Sequence, residues 1–129
     1  MIHYGFTKEL DIPYETVIEL AKEALKKEGF GVLTEIDVKA KMKEKLGLDM
    51  KKYIILGACN PPSAYKAILA EENIGLMLPC NVIVYEKDGK TVLSIIRPMV
   101  AMQTVDNMEL KKIAEAVEGQ LKKVFDAIK

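Results

Sequence analysis

Alternating apolar and polar residues predict β-strands in the first third of the chain. Ile2, Tyr4 and Phe6 alternate with His3, Gly5 and Thr7 at the start. A second alternating strand carries Phe30, Val32, Thr34 and Ile36. The segment 53–60, YIILGACN, is nearly continuous in apolar character, which is typical of a central strand.

Apolar residues at helical spacing predict two helices before residue 50. The first runs from about 12 to 28, opens at Pro13 and stops at Gly29. Its buried stripe is Val17, Leu20, Ala21, Ala24 and Leu25. The second is short, with Asp37 as its N-cap and Gly47 at its end.

Two more helices are predicted in the second half. One begins at about 61, with Asn60 as N-cap and Pro61 at the first helical position. Its expected buried side is Ala64, Tyr65, Ile68 and Leu69, and Gly75 ends it. The last helix covers about 107 to 128 behind a capping box of Asp106 and Glu109. Its apolar stripe is Leu110, Ile113, Ala114, Val117, Leu121, Val124, Phe125 and Ile128.

The segment CNVIVYEKDGKTVLSIIRP predicts a β-hairpin. Asp88 and Gly89 are the residue pair favoured in a two-residue type I′ turn. Counting outward from that turn pairs Lys87 with Lys90, Val84 with Leu93, Val82 with Ile95 and Cys80 with Arg97. This register is conditional, because a slip of one residue would change every partner.

The segment MVAMQTV after Pro98 is interpreted as a last short strand. The elements add up to an α+β protein with about five or six strands and four helices. We expect a single domain spanning 1–129, built as a two-layer sandwich with helices packed on a mainly antiparallel sheet. A TATA-binding-protein-like layout and a ferredoxin-like layout both fit this pattern.

Composition narrows the range of partners. Of 129 residues, 19 are basic and 19 acidic, so no basic footprint for nucleic acid or an anionic membrane is predicted. The start of the chain lacks a signal-peptide pattern, and the apolar runs are too short to span a bilayer. We therefore expect a cytoplasmic protein whose two cysteines are reduced.

Each cysteine precedes an asparagine, in Cys59-Asn60 and Cys80-Asn81. Cys59 comes just before a helix N-terminus, where the helix dipole would stabilise a thiolate. Pro61 removes an N–H donor there, as does the next residue, which argues against a phosphate site. Cys80 would lie opposite Arg97 in the predicted hairpin, which would also favour a thiolate. Free cysteines are equally often buried hydrophobic residues, so both could belong to the core.

A metal site is a further alternative, with Cys59, Cys80 and His3 as ligands for zinc or another soft metal. A structural zinc site would need a fourth ligand, and Glu35, Asp37 or Glu86 could supply it. Met77, Met99 and Met102 could bind a softer ion such as Cu(I), although methionines more often fill a core.

Glu35 and Asp37 are predicted to share one strand face, opposite Val32 and Ile36. Two carboxylates at this spacing could do acid–base work if one pKa were raised. The simpler interpretation is that Asp37 caps the short helix and Glu35 is solvated. No Ser/His/Asp arrangement is recognisable.

The motifs EIDV at 35–38, GACNP at 57–61 and LPCN at 78–81 resemble the domain-of-unknown-function 302 family of bacteria and archaea. The resemblance extends over essentially the whole chain. It implies a compact α+β domain and a dimer. It implies no activity and no residue role that could be transferred.

Three functions remain open from the sequence. The first is a small-ligand or metal-binding module around Cys59 and Cys80, with Asn60, Asn81, Glu35, Asp37 and Arg97 as further candidates. The second is a non-enzymatic homodimeric interaction domain. The third is a thiol-based redox protein. An enzyme is less favoured, because no nucleophile, base and orienting group can be assembled.

Overall fold

The computed structural model describes residues 3–129. The five strands are β1 (Gly5–Leu10), β2 (Gly31–Asp37), β3 (Tyr53–Cys59), β4 (Cys80–Lys87) and β5 (Lys90–Ile96). The five α-helices are α1 (Tyr14–Lys27), α2 (Val38–Leu46), α3 (Pro61–Ala70), α4 (Pro98–Ala101) and α5 (Met108–Ala127). A 3₁₀ helix, Glu72–Met77, follows α3. The predicted first strand included Ile2, which lies outside the described residues.

The strands form one sheet in the order β1-β5-β4-β3-β2. All four neighbouring pairs are antiparallel, as expected of an α+β protein with a mainly antiparallel sheet. The apolar segment 53–60 supplies β3, which lies inside the sheet as predicted. The chain ends on a helix and forms its β4–β5 hairpin after α3. This order differs from the β-α-β-β-α-β order of ferredoxin-like folds.

The hairpin register follows the predicted one up to the end of the ladder. Lys87 pairs with Lys90, Val84 with Leu93, and Val82 with Ile95. Asp88 and Gly89 have φ angles of 51° and 78°. Positive φ at both central residues is what a type I′ turn requires.

Helices α1 and α5 cover one face of the sheet. Leu56, Val82 and Leu93 project from that face into the main core and are fully buried. The α1 side contributes Val17, Ala21 and Leu25, and the α5 side contributes Val117, Leu121 and Val124. The apolar stripes predicted for these two helices therefore form the core, and both point at the same face of the sheet.

Strand β2 departs from strict alternation. The register slips between Val32 and Thr34, so Leu33 is a bulge residue. Val32 lies opposite the core residue Ala58, and Glu35 lies opposite the core residue Leu56. Val32 and Glu35 thus face the same side, and the prediction that they lie on opposite faces is wrong. The extra residue inverts the alternation after it, a change that a period-two pattern cannot register.

The ends of α1 and α2 agree with the glycine signals. Gly29 and Gly47 have φ angles of 83° and 67°, a left-handed conformation that glycine adopts at low cost. The side chain of Asp37 caps α2 by accepting a hydrogen bond from the Ala40 N–H at 2.9 Å. Helix α2 buries none of its residues, so its apolar positions do not contribute to the core.

Three predictions in the second half need correction. Helix α3 buries only Ala67, whereas Tyr65 and Leu69 of its predicted buried side are mainly exposed. The segment after Pro98 forms the short helix α4 and turns instead of a strand. The N-cap of α5 is Asn107, which accepts from the Leu110 N–H at 3.0 Å. Asn and Asp cap equally well, so the sequence could not choose between Asp106 and its neighbour.

Candidate functional site

A cavity of about 280 Å³ lies where the ends of β3 and β4 meet α3 and α5. We call it the thiol cavity, because Cys59 and Cys80 both line it. Its walls are otherwise almost entirely apolar, and they include Phe30, Ile68 and Val117. The two cysteines, 21 positions apart in sequence, therefore meet at one concave surface.

The local chain path explains the position of Cys59. It is the last residue of β3, and the next residue ends the strand by capping α3. The Asn60 side chain accepts a hydrogen bond from the Ser63 N–H at 3.2 Å. Pro61 and Pro62 occupy the first turn of α3, where a missing N–H costs nothing. This confirms the predicted cap, and it leaves Cys59 half-buried beside the helix N-terminus.

Cys80 opens β4 and is buried. Its backbone pairs with Ala58 of β3, which places it one residue along the ladder from Cys59. Burial raises the pKa of the Cys80 thiol to about 11, and the charge of a Cys59 thiolate adds to the effect. Cys80 is therefore a neutral thiol at neutral pH, and this argues against a reactive thiolate at that position.

The predicted pairing of Cys80 with Arg97 is not found. The β4–β5 ladder ends at Val82 and Ile95, and the Arg97 guanidinium is directed to α5. It donates to the Glu118 carboxylate from Nε at 3.2 Å and from Nη2 at 3.0 Å. Arg97 does not line the thiol cavity. The Arg97 guanidinium, which was expected beside Cys80, instead links the end of the β4–β5 hairpin to α5.

The two carboxylates on β2 have structural partners. Glu35 forms an ion pair with Lys22 of α1 at 3.0 Å, and Asp37 caps α2. Both face the helix side of the sheet, as their partners Leu56 and Ile54 do. Neither lines the thiol cavity, so the proposed acid–base pair is not part of this site.

The predicted metal ligands do not come together. His3 lies at the opposite face of the sheet in a concave surface with Tyr4 and Tyr53, and its carbonyl accepts from Arg97 at 3.3 Å. Asn81 is exposed and lies one residue beyond Cys80, so its side chain points to the other face. Among residues 3–129, no group of three or more His, Cys, Asp or Glu side chains could hold one ion. Cys59, Cys80 and His3 therefore do not form a three-ligand group within the described residues.

Sequence reasoning missed most of the cavity walls. Leu78, Met102, Leu110 and Ala114 line it together with the cysteines, but the helical spacing identified the α5 residues only as core. Met102 comes from the segment interpreted as a strand. One signal was available at Gly57, where a Cβ would lie 2.7 Å from Cγ of Pro79 and would also collide with Oγ1 of Thr34. The glycine allows the LPCN segment to approach the sheet closely.

Fold and site together define a small α+β protein with helices on one face of an antiparallel sheet and an apolar cavity that carries two thiols. The profile of the family described as domain of unknown function DUF302 matches residues 6–128. The chain belongs to this family, as the resemblance of its motifs indicated.

A solved structure agrees with this assignment. The crystal structure of an uncharacterized conserved DUF302 protein from Bacillus stearothermophilus is 32% identical in sequence. It superposes with a TM-score of 0.92, over 99% of this chain and 100% of that chain. No curated protein matches the chain. Within residues 3–129, every helix is too short or too polar to cross a membrane.

Proposed function

We propose that the protein binds a small apolar molecule in the thiol cavity. The observation that carries this proposal is the lining of the cavity, which is almost entirely apolar apart from the two thiols, Asn60 and Ser63. Small-molecule sites are concave, mainly apolar and contain a few polar groups that fix orientation. A volume of about 280 Å³ is close to the lower end of the range for such sites, roughly 300–1,000 Å³.

The state of Cys80 supports binding over thiol chemistry. Its pKa of about 11 keeps it protonated, so it offers a soft, weakly polar S–H contact to a ligand. The exposed side chains around the mouth also favour access by a ligand. Ile68 and Leu33 line the cavity, yet they are 42% and 65% exposed.

The test is calorimetric titration with 1-hexanol and benzene as apolar probes. Wild type is expected to bind at least one of them, and a ligand at a hundredfold excess over Kd raises the free energy of unfolding by about 2.7 kcal/mol. Ala64→Phe places a ring in the cavity from α3 and should abolish binding. Ala116→Phe on the exposed side of α5 is the matched control and should leave binding unchanged. Absence of binding by both probes to folded wild type would refute the proposal.

A second candidate function is homodimerisation through the sheet face opposite α1 and α5. We call this the open sheet face, with Tyr53, Ile55, Ile83 and Tyr85 at its centre. Tyr53 and Tyr85 stack with centroids 5.2 Å apart and planes 7° apart. Both tyrosines and Ile83 line one concave surface. Two such faces can pack about 10 Å apart, as the sheets of a β-sandwich do.

Sedimentation equilibrium at micromolar concentration tests the dimer. Ile83→Lys is expected to yield monomer, because it places a charge at the centre of the open sheet face. Leu76→Lys is the control, since Leu76 is 89% exposed and lies outside the open sheet face. A wild-type protein that is monomeric at these concentrations would exclude this function.

A further inference from the structure

A second cavity, of about 260 Å³, also has Met102 in its wall. We call it the methionine cavity. Its lining comes from α5 and from the segment that includes α4, with Met99, Gln103 and Lys111 at its edge. Three residues line both the methionine cavity and the thiol cavity, namely Met102, Leu110 and Ala114. These three side chains form a layer of wall that the two cavities share.

Met102 is the adjustable part of this layer. Ala114 has no side chain beyond Cβ, and Leu110 is fixed on α5 with 1% exposure. Met102 is buried as well, but it follows a helix of only four residues and lies in a turn. An unbranched thioether with three rotatable bonds can change its path at low cost.

The segment that carries Met102 is fixed at its two ends. At the first end, the Glu118 carboxylate accepts from the Met99 N–H at 3.1 Å and holds Arg97. At the second end, Asn107 donates from Nδ2 to the carbonyl of Ala70 at 2.7 Å. Of residues 99–106 between these two ends, only Met102 is buried. The backbone can therefore stay in place while this side chain moves.

The edge of the methionine cavity differs from the thiol cavity in charge. Lys111 has no carboxylate within ion-pair distance in the part of the chain that the structure describes. Glu115 lines the same cavity one helical turn away without pairing with it. A cation beside an apolar passage suits the carboxylate of an amphipathic molecule.

We infer that the two cavities form one binding site for a long unbranched fatty acid, with Met102 as the side chain that opens the passage. The carboxylate lies at Lys111 and the alkyl chain passes Met102 into the thiol cavity. The inference rests on the proposed function and extends it to a ligand class. The two cavities together fall within the volume range of small-molecule sites, about 300–1,000 Å³.

Calorimetric titration with 1-hexanol and tetradecanoate, below its micelle concentration, tests this inference. Wild type is expected to bind hexanol in the thiol cavity and tetradecanoate at least about a hundredfold more tightly, since each additional buried CH₂ contributes roughly fourfold in affinity. Met102→Phe inserts a rigid ring into the passage. Because Met102 also lines the thiol cavity, the test is the difference between the two ligands: Met102→Phe should weaken tetradecanoate binding at least about tenfold more than it weakens hexanol binding. Met108→Phe is the matched control, because Met108 is 69% exposed and lines neither cavity.

The position of the carboxylate is tested separately. Lys111→Met should weaken the binding of tetradecanoate and leave the binding of hexanol unchanged. Lys112→Met changes the neighbouring lysine, which lines neither cavity, and should affect neither ligand. Equal effects of these two variants on tetradecanoate would overturn the assignment of Lys111.

If Met102→Phe does not fold, NMR of the methionine methyl groups in wild type tests the same inference without a variant. Tetradecanoate should shift the methyl signals of both Met99 and Met102, whereas hexanol should leave Met99 unchanged. Failure of both ligands to bind would refute the proposed function together with the inference. Binding of hexanol with no gain for tetradecanoate, or with Met99 unshifted by it, would overturn the inference alone.

Discussion

The buried contacts of the Glu118 carboxylate give the most direct test of how much a buried ion pair stabilises this fold. Glu118 is 7% exposed, and its carboxylate accepts hydrogen bonds from Nε and Nη2 of Arg97 and from the Met99 N–H. Removing one partner of a fully buried ion pair costs about 3–5 kcal/mol. The Arg97 side chain is 32% exposed, so water can partly solvate the guanidinium once the carboxylate is gone. Glu118→Ala is therefore expected to lower the free energy of unfolding by about 2–3 kcal/mol.

The assay is urea denaturation at neutral pH, in a double-mutant cycle with Arg97→Ala. The same helix provides a matched control in the Lys122–Asp126 pair, whose side chains are 50% and 60% exposed. A cycle on that pair should give a coupling of about 0.3–0.5 kcal/mol. A loss below about 1 kcal/mol for Glu118→Ala would put it in the range of surface pairs. That result would refute the argument that burial makes this contact strong.

Three further predictions concern Cys80, Gly57 and Asn107. Because the folded pKa of Cys80 is raised from 9.0 to about 11, the native state keeps a proton that the unfolded state loses between these values. The stabilisation that the Cys80 thiol contributes is complete below pH 9 and falls by about 2–3 kcal/mol as the pH rises to 11. The difference in free energy of unfolding between wild type and Cys80→Ala, measured with urea, should therefore fall over the same pH range. A difference that does not depend on pH would contradict the prediction. Gly57→Ala should lower the free energy of unfolding by about 1–3 kcal/mol, because a Cβ there collides with Pro79. Gly31→Ala is the control. A Cβ at that position has no atom within 4 Å, so the urea midpoint should not change. Asn107→Ala should lower the free energy of unfolding by more than the roughly 1 kcal/mol of an ordinary N-cap, because this side chain also donates to residues at the end of α3. If the melting temperature falls no further than it does in Asp37→Ala, the contact with α3 does not contribute to stability.

Local signals in the sequence were sufficient for most elements. Asp88 and Gly89 determined the hairpin and its register, because only certain residues adopt positive φ at both positions. Asn60 followed by two prolines determined the start of α3. The stripes of α1 and α5 identified the core-forming sides, since the period of an α-helix fixes which residues share a face.

The same local rules failed wherever a neighbour in space decided the outcome. The apolar spacing of α3 predicts a core-facing side, but Ile68 on that side lines a cavity. Spacing identifies an apolar face and does not show what covers it. The side of Val32 changed because one bulge residue inverted the alternation of β2. The conformation of the segment after Pro98 is determined by hydrogen bonds at its two ends, to the Glu118 carboxylate and to the Ala70 carbonyl. Neither partner is near the segment in sequence.

The candidate site shows the same division. The sequence by itself singled out Cys59 and Cys80 and placed each at a strand end. Whether the two thiols meet depends on the pairing of β3 with β4 and on the packing of α3 against α5, and both are long-range contacts. The tertiary structure also decided that Arg97 binds Glu118 and that His3 lies on the other face of the sheet. The cavity that contains the two thiols is therefore lined mainly by apolar side chains and by neither Arg97 nor His3. A single sequence specifies backbone conformation through local preferences, but the closure of a cavity depends on side chains that only the folded chain brings together.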